Sequence, residues 1–334
     1  MATLRDVALR AGVSIGSASA VVNATAPVSP EMREKVMRAV AELGYTPDGV
    51  ARSLRLGRTR TIGLVIPDIT NPHFAAMASA IEVACDAAGY SLMFCNTSDD
   101  AAKELRLLRL LRTQRVDGII LVPSGAPEDP DALRQAITAP TVIVDRTVDG
   151  LDCDAVLLDN HAASRMVVEY LIRCGHRRIG VVAGRAGVSL SSERLAGYRE
   201  TLAENGIAYD DTLVVGGEFQ PEPAYRAAIR LLHRRPRPTA IFSTSNHTTI
   251  GIMKALADQG FRCPQDISVA AIDDFDWSNA FSPHLTTAAQ PIAEIGRSAV
   301  DMLLERIRGD AATATKRIVL QPLLIVRDSC RAIG

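Results

Sequence analysis

The first 45 residues carry apolar positions at helical spacing. The first group shares one face of a helix and comprises Leu4, Val7, Ala8 and Ala11. Thr3 is expected to cap this helix, with Asp6 three positions later completing a capping box. Gly12 interrupts the pattern, so the first helix should end there.

Two further helices are predicted after Gly12. Ser14 should cap a second helix over residues 15–22, because a serine side chain accepts a hydrogen bond from an unpaired backbone N–H group. Ser29 should cap a third helix that begins at Pro30 and stops at Gly44. A helix, a glycine-containing turn and a second helix form a helix-turn-helix unit, whose second helix enters the DNA major groove.

From residue 61 the pattern changes to short aliphatic runs that alternate with amphipathic stretches. The runs are TIGLVI, YSLMFC, GIILVP, PTVIVD, AVLLD, RIGVVAG, TLVV, TAIFS and ISVAAID. Strands that alternate with helices indicate parallel sheets, and this number of strands exceeds one sheet of usual size. The predicted fold is therefore multidomain, with an all-α helix-turn-helix head and an α/β body of two lobes.

Polar residues follow many of these runs, where the strands are expected to end. They are Asp68, Asn71, Asn96, Asp145, Arg146, Asp159, Asn160, Asp273 and Asp274. A single acid at a strand end is commonly a helix cap. Open α/β sheets bind ligands at the carboxyl ends of their strands, so the set as a whole predicts a binding crevice.

Charge is unevenly distributed along the 334 residues. Residues 1–60 hold nine Lys and Arg against five Asp and Glu, whereas the remainder carries a net charge of −5. A basic head on an acidic body favours a polyanion-binding module, although solvated surface charge is the alternative. There is no apolar run of 18 residues and no signal-peptide core, so a cytoplasmic protein is expected.

The six cysteines do not suggest a metal site. No two are closer than ten residues, which lacks zinc-ligand spacing and favours free thiols in a reducing compartment. Residues 12–16 read GVSIG, the G-x-S-x-G pattern of serine hydrolases. A nucleophile elbow needs a strand before its serine, and a helix is predicted there, so capping by Ser14 is favoured. No cofactor or metal is expected.

Three long stretches carry a resemblance to a known family. They are TLRDVALRAGVSIGSASAVVN, VSPEMREKVMRAVAELGYTPDGVARSLR and RTRTIGLVIPDITNPHF. With them the chain resembles the lactose/galactose-repressor (LacI-type) family of bacterial transcription regulators. The resemblance implies that the second helix reads bases, chiefly through Ile15, Gly16 and Ala20. These residues have no hydrogen-bonding side chain and could make only apolar contacts, for example with thymine methyl groups.

Other residues of the head are expected to contact phosphates or base edges. They are Thr3, Ser14, Ser17, Ser19 and Asn23. Phosphate contacts fix register but do not specify sequence.

The segment 47–60 resembles the hinge helix of the family. Leu54 would insert between base steps in the minor groove, with Ala51 packed beside it, and such a wedge bends the duplex. Arg52, Arg55, Arg58 and Arg60 would flank phosphates. A polar linker with an incidental leucine is the alternative. The expected boundaries are 1–46 for the head, 47–60 for the hinge and 61–334 for the body. The N-lobe is expected at about 61–159 and 291–320, and the C-lobe at about 161–287 and 323–334.

The body resembles the effector domain of the family, which is similar to periplasmic sugar-binding proteins. The implied effector contacts are Asn71, His73, Phe74, Asp145, Arg146, Arg194, Phe219, Ser245, Asn246 and Asp273. Acids, arginine and aromatic rings suit a polyol. Arg146 and His73 add positive charge, so the candidate effectors include a sugar acid as well as a neutral sugar. Ser245 and Asn246 depart from the usual Asn-Asp of the family, which removes one acid.

The expected function is that of a sequence-specific transcriptional repressor whose affinity for operator DNA is controlled by a small-molecule effector. A homodimer on a pseudo-palindromic operator is expected. A dimer is favoured over a tetramer because the sequence shows no leucine-heptad tail. Induction and co-repression stay open. A periplasmic-type sugar receptor is one alternative. An enzyme that uses Asp273 and Asp274 as a carboxylate pair and His247 as a base is another.

Overall fold

A computed structural model describes residues 2–23, 26–45, 58–125, 130–275, 278, 280, 282–309 and 314–333. The chain divides into two compact units, Met1–Thr59 and Arg60–Gly334. The predicted hinge contacts Ala51, Arg52, Leu54 and Arg55 lie outside the described residues.

The described part of the first unit contains three helices in the predicted order. They are α1 (Leu4–Ala11), α2 (Ile15–Asn23) and α3 (Pro30–Leu43). Thr3 and Asp6 form the predicted capping box, and Gly12 and Gly44 end α1 and α3 with left-handed backbone angles of φ 66° and 57°. The small core of the three helices is made by Val7, Ala8, Ala18, Val21, Val36 and Ala39.

The second unit begins with a regular alternation of strands and helices. The first elements are β1 (Thr61–Ile66), α4 (Pro72–Ala87), β2 (Ser91–Asn96), α5 (Ala101–Thr113), β3 (Gly118–Leu121), α6 (Pro130–Ala136), β4 (Thr141–Val144) and β5 (Asp154–Leu158). The next elements are α7 (Asn160–Arg173), β6 (Ile179–Ala183), α8 (Ser189–Glu204), β7 (Val214–Gly216), α9 (Pro221–Leu232), β8 (Ala240–Ser243), α10 (Asn246–Asp258) and β9 (Ser268–Ile272). The last are β10 (Thr286–Ala289), α11 (Ile292–Arg308), β11 (Arg317–Leu320) and β12 (Leu323–Ile325).

These strands form two six-stranded sheets, one in each lobe. The sheet of the N-lobe has the order β11-β5-β4-β3-β1-β2 and is parallel throughout. The sheet of the C-lobe has the order β12-β10-β9-β8-β6-β7. Its edge strand β12 pairs antiparallel with β10, which departs from the expected parallel pattern. The strands β10, β11 and β12 are not among the runs predicted from the sequence.

The chain passes between the lobes three times. The passages lie between β5 and α7, between β10 and α11, and between β11 and β12. Helix α11 returns to the N-lobe and packs against α4 in its core. The two helices approach closely at Gly296, where a Cβ atom would lie 2.9 Å from the carbonyl carbon of Ala80.

Candidate ligand cleft and nucleic-acid interface

A cleft lies between the carboxyl ends of the strands of the two lobes. Its lining comprises Pro67, Asp68, Asn71, His73, Phe74, Asp99, Asp145, Arg146, Leu190, Arg194, Phe219, Gln220, Ser245, His247, Asp273 and Gln290. Nine of the ten effector contacts expected from the sequence lie in this wall. Asn246 is the exception, because it is buried at the start of α10 and is not part of the lining.

Asp145 and Asp273 occupy the same place in the two lobes. Each follows the third strand from the connected edge of its sheet, β4 or β9. Both have left-handed backbone angles, φ 74° and 79°. The N–H of Asp145 donates to the carbonyl of Val156, and the N–H of Asp273 donates to that of Ala288. Left-handed backbone in a non-glycine residue is uncommon, and here it recurs where the chain turns into the cleft.

A chain of charged contacts crosses the floor of the cleft on the N-lobe side. One carboxylate oxygen of Asp145 lies 3.2 Å from Nε2 of His73, and the other accepts a 3.1 Å hydrogen bond from Nε of Arg146. The Arg146 guanidinium lies 5.6 Å from the ring centre of Phe74 and 3.8 Å from Oδ1 of Asp99. This oxygen of Asp99 is buried and accepts no hydrogen bond, so its capacity as an acceptor is unused.

The ionisation of His73 and Asp145 is coupled. Burial favours the neutral form of His73, but the hydrogen bond to Asp145 and the charges of Asp273 and Asp145 outweigh it and raise the pKa of His73. Burial also opposes the charged form of Asp145. Its contacts with His73 and Arg146 outweigh that effect and lower the pKa of Asp145. The site therefore favours a protonated histidine beside an ionised aspartate.

Arg194 enters the cleft from α8 in the C-lobe. It is buried, and its Nε donates a 2.8 Å hydrogen bond to Asn160 while Nη1 donates to the carbonyl of Thr244. Within the described parts of the chain no carboxylate forms an ion pair with it. Burial lowers the pKa of Arg194. A ligand that offers hydroxyl or carboxylate oxygens would therefore find a poorly compensated cation here.

Asp273 is held by its own lobe and by the connection between lobes. Its Oδ1 accepts a 2.7 Å hydrogen bond from Gln290, and Oδ2 accepts one from the backbone N–H of Asn246. Phe219 forms the neighbouring wall. Its ring lies against Gly184, where a Cβ atom would be 1.9 Å from Cζ of the ring, so only glycine leaves room. Carboxylate and ring therefore offer a polar and an apolar surface side by side.

Three polar contacts between described residues join the lobes across the cleft. Nδ2 of Asn246 donates a 2.7 Å hydrogen bond to Oδ1 of Asn71. Arg185 forms a 2.8 Å ion pair with Asp99. The backbone N–H of Thr147 donates a 3.2 Å hydrogen bond to Ser189. These contacts hold the lobes in the arrangement that the structure shows.

Several cleft residues were not predicted as contacts. Asp99 follows β2, as Asp68 and Asp145 follow their own strands. The expectation that polar residues after strands line the crevice therefore applies to Asp99, although the sequence analysis named Asn96 after this strand. Asn96 accepts the backbone N–H of Ile69 and is not part of the cleft wall. Gln290 follows β10, a strand that the sequence did not reveal.

Asp273 and Asp274 do not form a pair of carboxylates in the cleft. Asp274 is adjacent to Asp273 in sequence, but it does not line the cleft. Its two oxygens instead accept hydrogen bonds of 2.8 and 3.0 Å from Arg327. That contact and the bond from Thr287 outweigh burial and lower the pKa of Asp274. His247 does lie in the wall, with Nδ1 3.3 Å from the carbonyl oxygen of Phe219.

In the first unit, Ser14 caps a helix as predicted. Its Oγ accepts a 3.0 Å hydrogen bond from the N–H of Ser17. Helix α1 precedes it in this described segment, so Ser14 does not follow the strand that a nucleophile elbow needs. The side chain of Thr3 is occupied in the capping box with Asp6.

The residues expected to contact DNA do not all face outward. Ile15 and Gly16 are exposed at the start of α2, and Ala20 is half-buried one turn later. Ser19 is buried among the core residues of the helix, so its side chain is not placed for a base edge. Asn23 donates to both the carbonyl and the hydroxyl oxygen of Ser19.

In the described ranges, no helix is both long and apolar enough to span a bilayer. Nor do those ranges bring together three or more histidine, cysteine or acidic side chains in a way that could hold a metal ion.

Comparison with known proteins places both units. Residues 3–48 match the family described as "Bacterial regulatory proteins, lacI family", and residues 168–330 match the "Periplasmic binding protein-like domain". The chain is 37% identical to the ribose operon repressor of Haemophilus influenzae over 98% of both chains. It is 35% identical to the HTH-type transcriptional repressor PurR of the same species over the full length of both. The lac repressor dimer bound to operator and the anti-inducer ONPF superposes with a TM-score of 0.88, at 29% identity, over 99% of both chains.

Proposed function

The chain belongs to the lacI family of bacterial regulatory proteins, and from this premise we propose that it is a transcriptional repressor controlled by a small effector. The head binds operator DNA, and the cleft of the body binds the effector. The observation that carries the proposal is the pairing of a helix-turn-helix unit with a buried cleft to which both lobes contribute charged side chains.

The DNA-binding role rests on α1–α3. A helix-turn-helix unit places its second helix in the major groove, and the phosphate contacts around it give an affinity that falls with salt. We assign base contacts to Ile15, Gly16 and Ala20 and phosphate contacts to Ser14 and Ser17. The resemblance further assigns Leu54 to the minor groove, with the protein bound as a homodimer to a pseudo-palindromic operator.

The effector is a sugar or a sugar acid. Asp145 and Asp273 face the cleft from opposite lobes and accept hydrogen bonds from hydroxyl groups, and Arg194 supplies donors. The rings of Phe74 and Phe219 cover apolar C–H faces. This mixture suits a polyol. A relative that regulates a ribose operon agrees with that class.

Control follows from contacts that the effector makes to both lobes at once. An effector held between Asp145 of the N-lobe and Arg194 of the C-lobe favours the arrangement in which both reach it. It shifts the balance between arrangements only by its difference in affinity for them. Since the N-lobe begins directly after the hinge segment, a change in lobe arrangement alters how two heads reach the operator.

A ligand screen tests the effector part of the proposal. Sugars, sugar acids and nucleobases are added to the full-length protein, and the melting temperature is measured, because a ligand that binds only the folded state raises it. Arg194→Ala and Asp273→Ala should abolish the shift given by the active compound while operator binding survives. Arg262→Ala is the control, because Arg262 pairs with Asp266 on the exposed surface. A dose response unchanged by both cleft variants would place the effector elsewhere.

A further inference from the structure

Helix α2 presents two residues without hydrogen-bonding side chains, Ile15 and Gly16, at the end proposed to enter DNA. Ile15, the first residue of the helix, is 51% exposed. Gly16 beside it is exposed, and Ala20 lies one turn further along the face of Gly16. The N-terminal residues of a recognition helix are those that contact base edges.

The polar side chains of α2 are largely occupied within the head. Ser14 accepts the N–H of Ser17, and the two hydroxyl oxygens lie 2.9 Å apart, which leaves the pair one free hydroxyl proton. Ser19 is buried, and Asn23 directs its amide group to Ser19. Little hydrogen-bonding capacity therefore remains on this helix for reading bases.

Gly16 has no packing role that would explain it. A Cβ atom there would meet only Oγ of Ser14, at 3.7 Å, which is an ordinary contact. Its φ angle is not in the left-handed region. Glycine inside a helix is destabilising relative to alanine, and no contact within the head compensates for that loss of stability. It does leave the backbone beside Ile15 bare, so that a base pair can approach closely.

We propose that α2 reads the operator through thymine methyl groups, which Ile15 and Ala20 contact from the major groove. This inference rests on the proposed DNA-binding function. The C5 methyl of thymine is the only apolar group that an unmodified base pair shows in the major groove, and it lies on one strand, so it distinguishes A·T from T·A as well as from G·C. The serines fix the register on the phosphates.

Replacement of thymidine by deoxyuridine tests this directly. A duplex that the full-length protein prefers is first selected from a random DNA library, and each thymidine of a half-site is then replaced in turn. The replacement removes one methyl group from the major groove and leaves the minor groove unchanged. One or two positions should each lose affinity about fourfold, the effect of one buried methyl group. When such a position carries cytosine instead, the protein should bind a duplex with 5-methylcytosine there about fourfold more tightly than one with unmodified cytosine.

Three variants, one of them a control, test whether the effect comes from this helix. Ile15→Ala should bind the thymidine and deoxyuridine duplexes equally at one position, because the side chain that contacts the methyl group is gone. Leu9→Ala is the matched control, since Leu9 is an 84% exposed residue of α1, and it should keep the difference. Both side chains are exposed, so the melting temperatures should match that of the parent protein. Gly16→Ala should bind DNA more weakly although the head is no less stable.

The outcomes separate this inference from the proposed function. If deoxyuridine is tolerated at every thymidine of a duplex that the protein does select, methyl reading is wrong and sequence-specific binding stands. If no duplex is enriched over bulk DNA, both are wrong. A methyl effect that persists unchanged in Ile15→Ala would assign the contact to another part of the protein and overturn the role of Ile15.

Discussion

Asp99 of the N-lobe and Arg185 of the C-lobe form a 2.8 Å ion pair across the cleft. Asp99 also lies 3.8 Å from Arg146, which donates to Asp145. Contacts thus run from the cleft floor to the opposite lobe. A ligand that engages Asp145 and Arg146 acts on the same group of charges that holds the lobes together.

Breaking this pair should weaken effector binding. Arg185→Gln removes the charge, and both partners are about a third exposed or less, so a loss of about 0.5–1 kcal/mol is expected. That corresponds to roughly a two- to fivefold higher dissociation constant for the effector, measured by titration calorimetry. The difference should shrink as salt is raised, because partly exposed pairs are screened.

The control for that variant is Arg178→Gln. Arg178 forms a 2.9 Å ion pair with Asp210 of similar exposure, but both residues belong to the C-lobe. It should leave effector affinity unchanged. Equal effects of the two variants would show that the cross-cleft pair has no special part in closure.

The hydrogen bond between Asn246 and Asn71 should contribute to stability. Asn246→Ala leaves Oδ1 of Asn71 with only the N–H of His73 as donor in a buried place, and a buried group that loses a partner costs about 1–3 kcal/mol. Urea unfolding should show a lower midpoint. Asn205→Ala, whose amide bonds Thr201 within one helix, should shift it less. If both variants unfold at the same urea concentration, the cross-lobe bond is not specifically important.

The stability of the folded protein should fall as rising pH removes the proton from His73. The folded protein raises the pKa of His73, so its protonation contributes stability that is fully present below the ordinary histidine pKa of 6.5 and is lost as pH rises through the folded value. Urea unfolding at several pH values above 6.5 should show this loss. His73→Gln and Asp145→Asn should each flatten that part of the profile. An unchanged slope in both variants would mean that another group titrates.

Removal of residues 1–59 should separate the two activities. The remaining chain is the second compact unit, so it should keep its effector affinity within about twofold, as expected for independent sites. Operator binding, followed by gel shift, should be lost because α1–α3 are gone. Loss of effector binding as well would show that the body depends on the head.

The features predicted well from the sequence are those set by near neighbours in the chain. The caps of Thr3 and Ser14 each bond a residue three positions away, so the local pattern is sufficient. The acids that follow β4 and β9 were found because parallel strands end at one edge of a sheet, which makes any polar residue there a neighbour of the others.

Features that depend on distant pairing were missed. Asp99 and Arg185 each follow a strand, β2 and β6, but they are far apart in sequence, so the local pattern does not reveal that they pair. The strand β12 is recognisable only from its antiparallel pairing with β10. Ser19 was expected to face outward, but it shares the inner side of α2 with Ala18 and Val21, which the short helix did not reveal by pattern alone.

The three passages between the lobes all lie at one edge, next to β5 and β11 in one sheet and β10 and β12 in the other. Asp99 follows β2 at the far edge, four strands from β5, a radius of about 19 Å at the usual strand spacing. A swing of about 10° about the connected edge would part Asp99 and Arg185 by roughly 3 Å at that radius. The ion pair thus lies far from the axis of this rotation, so a small rotation at the connected edge is enough to separate its two side chains.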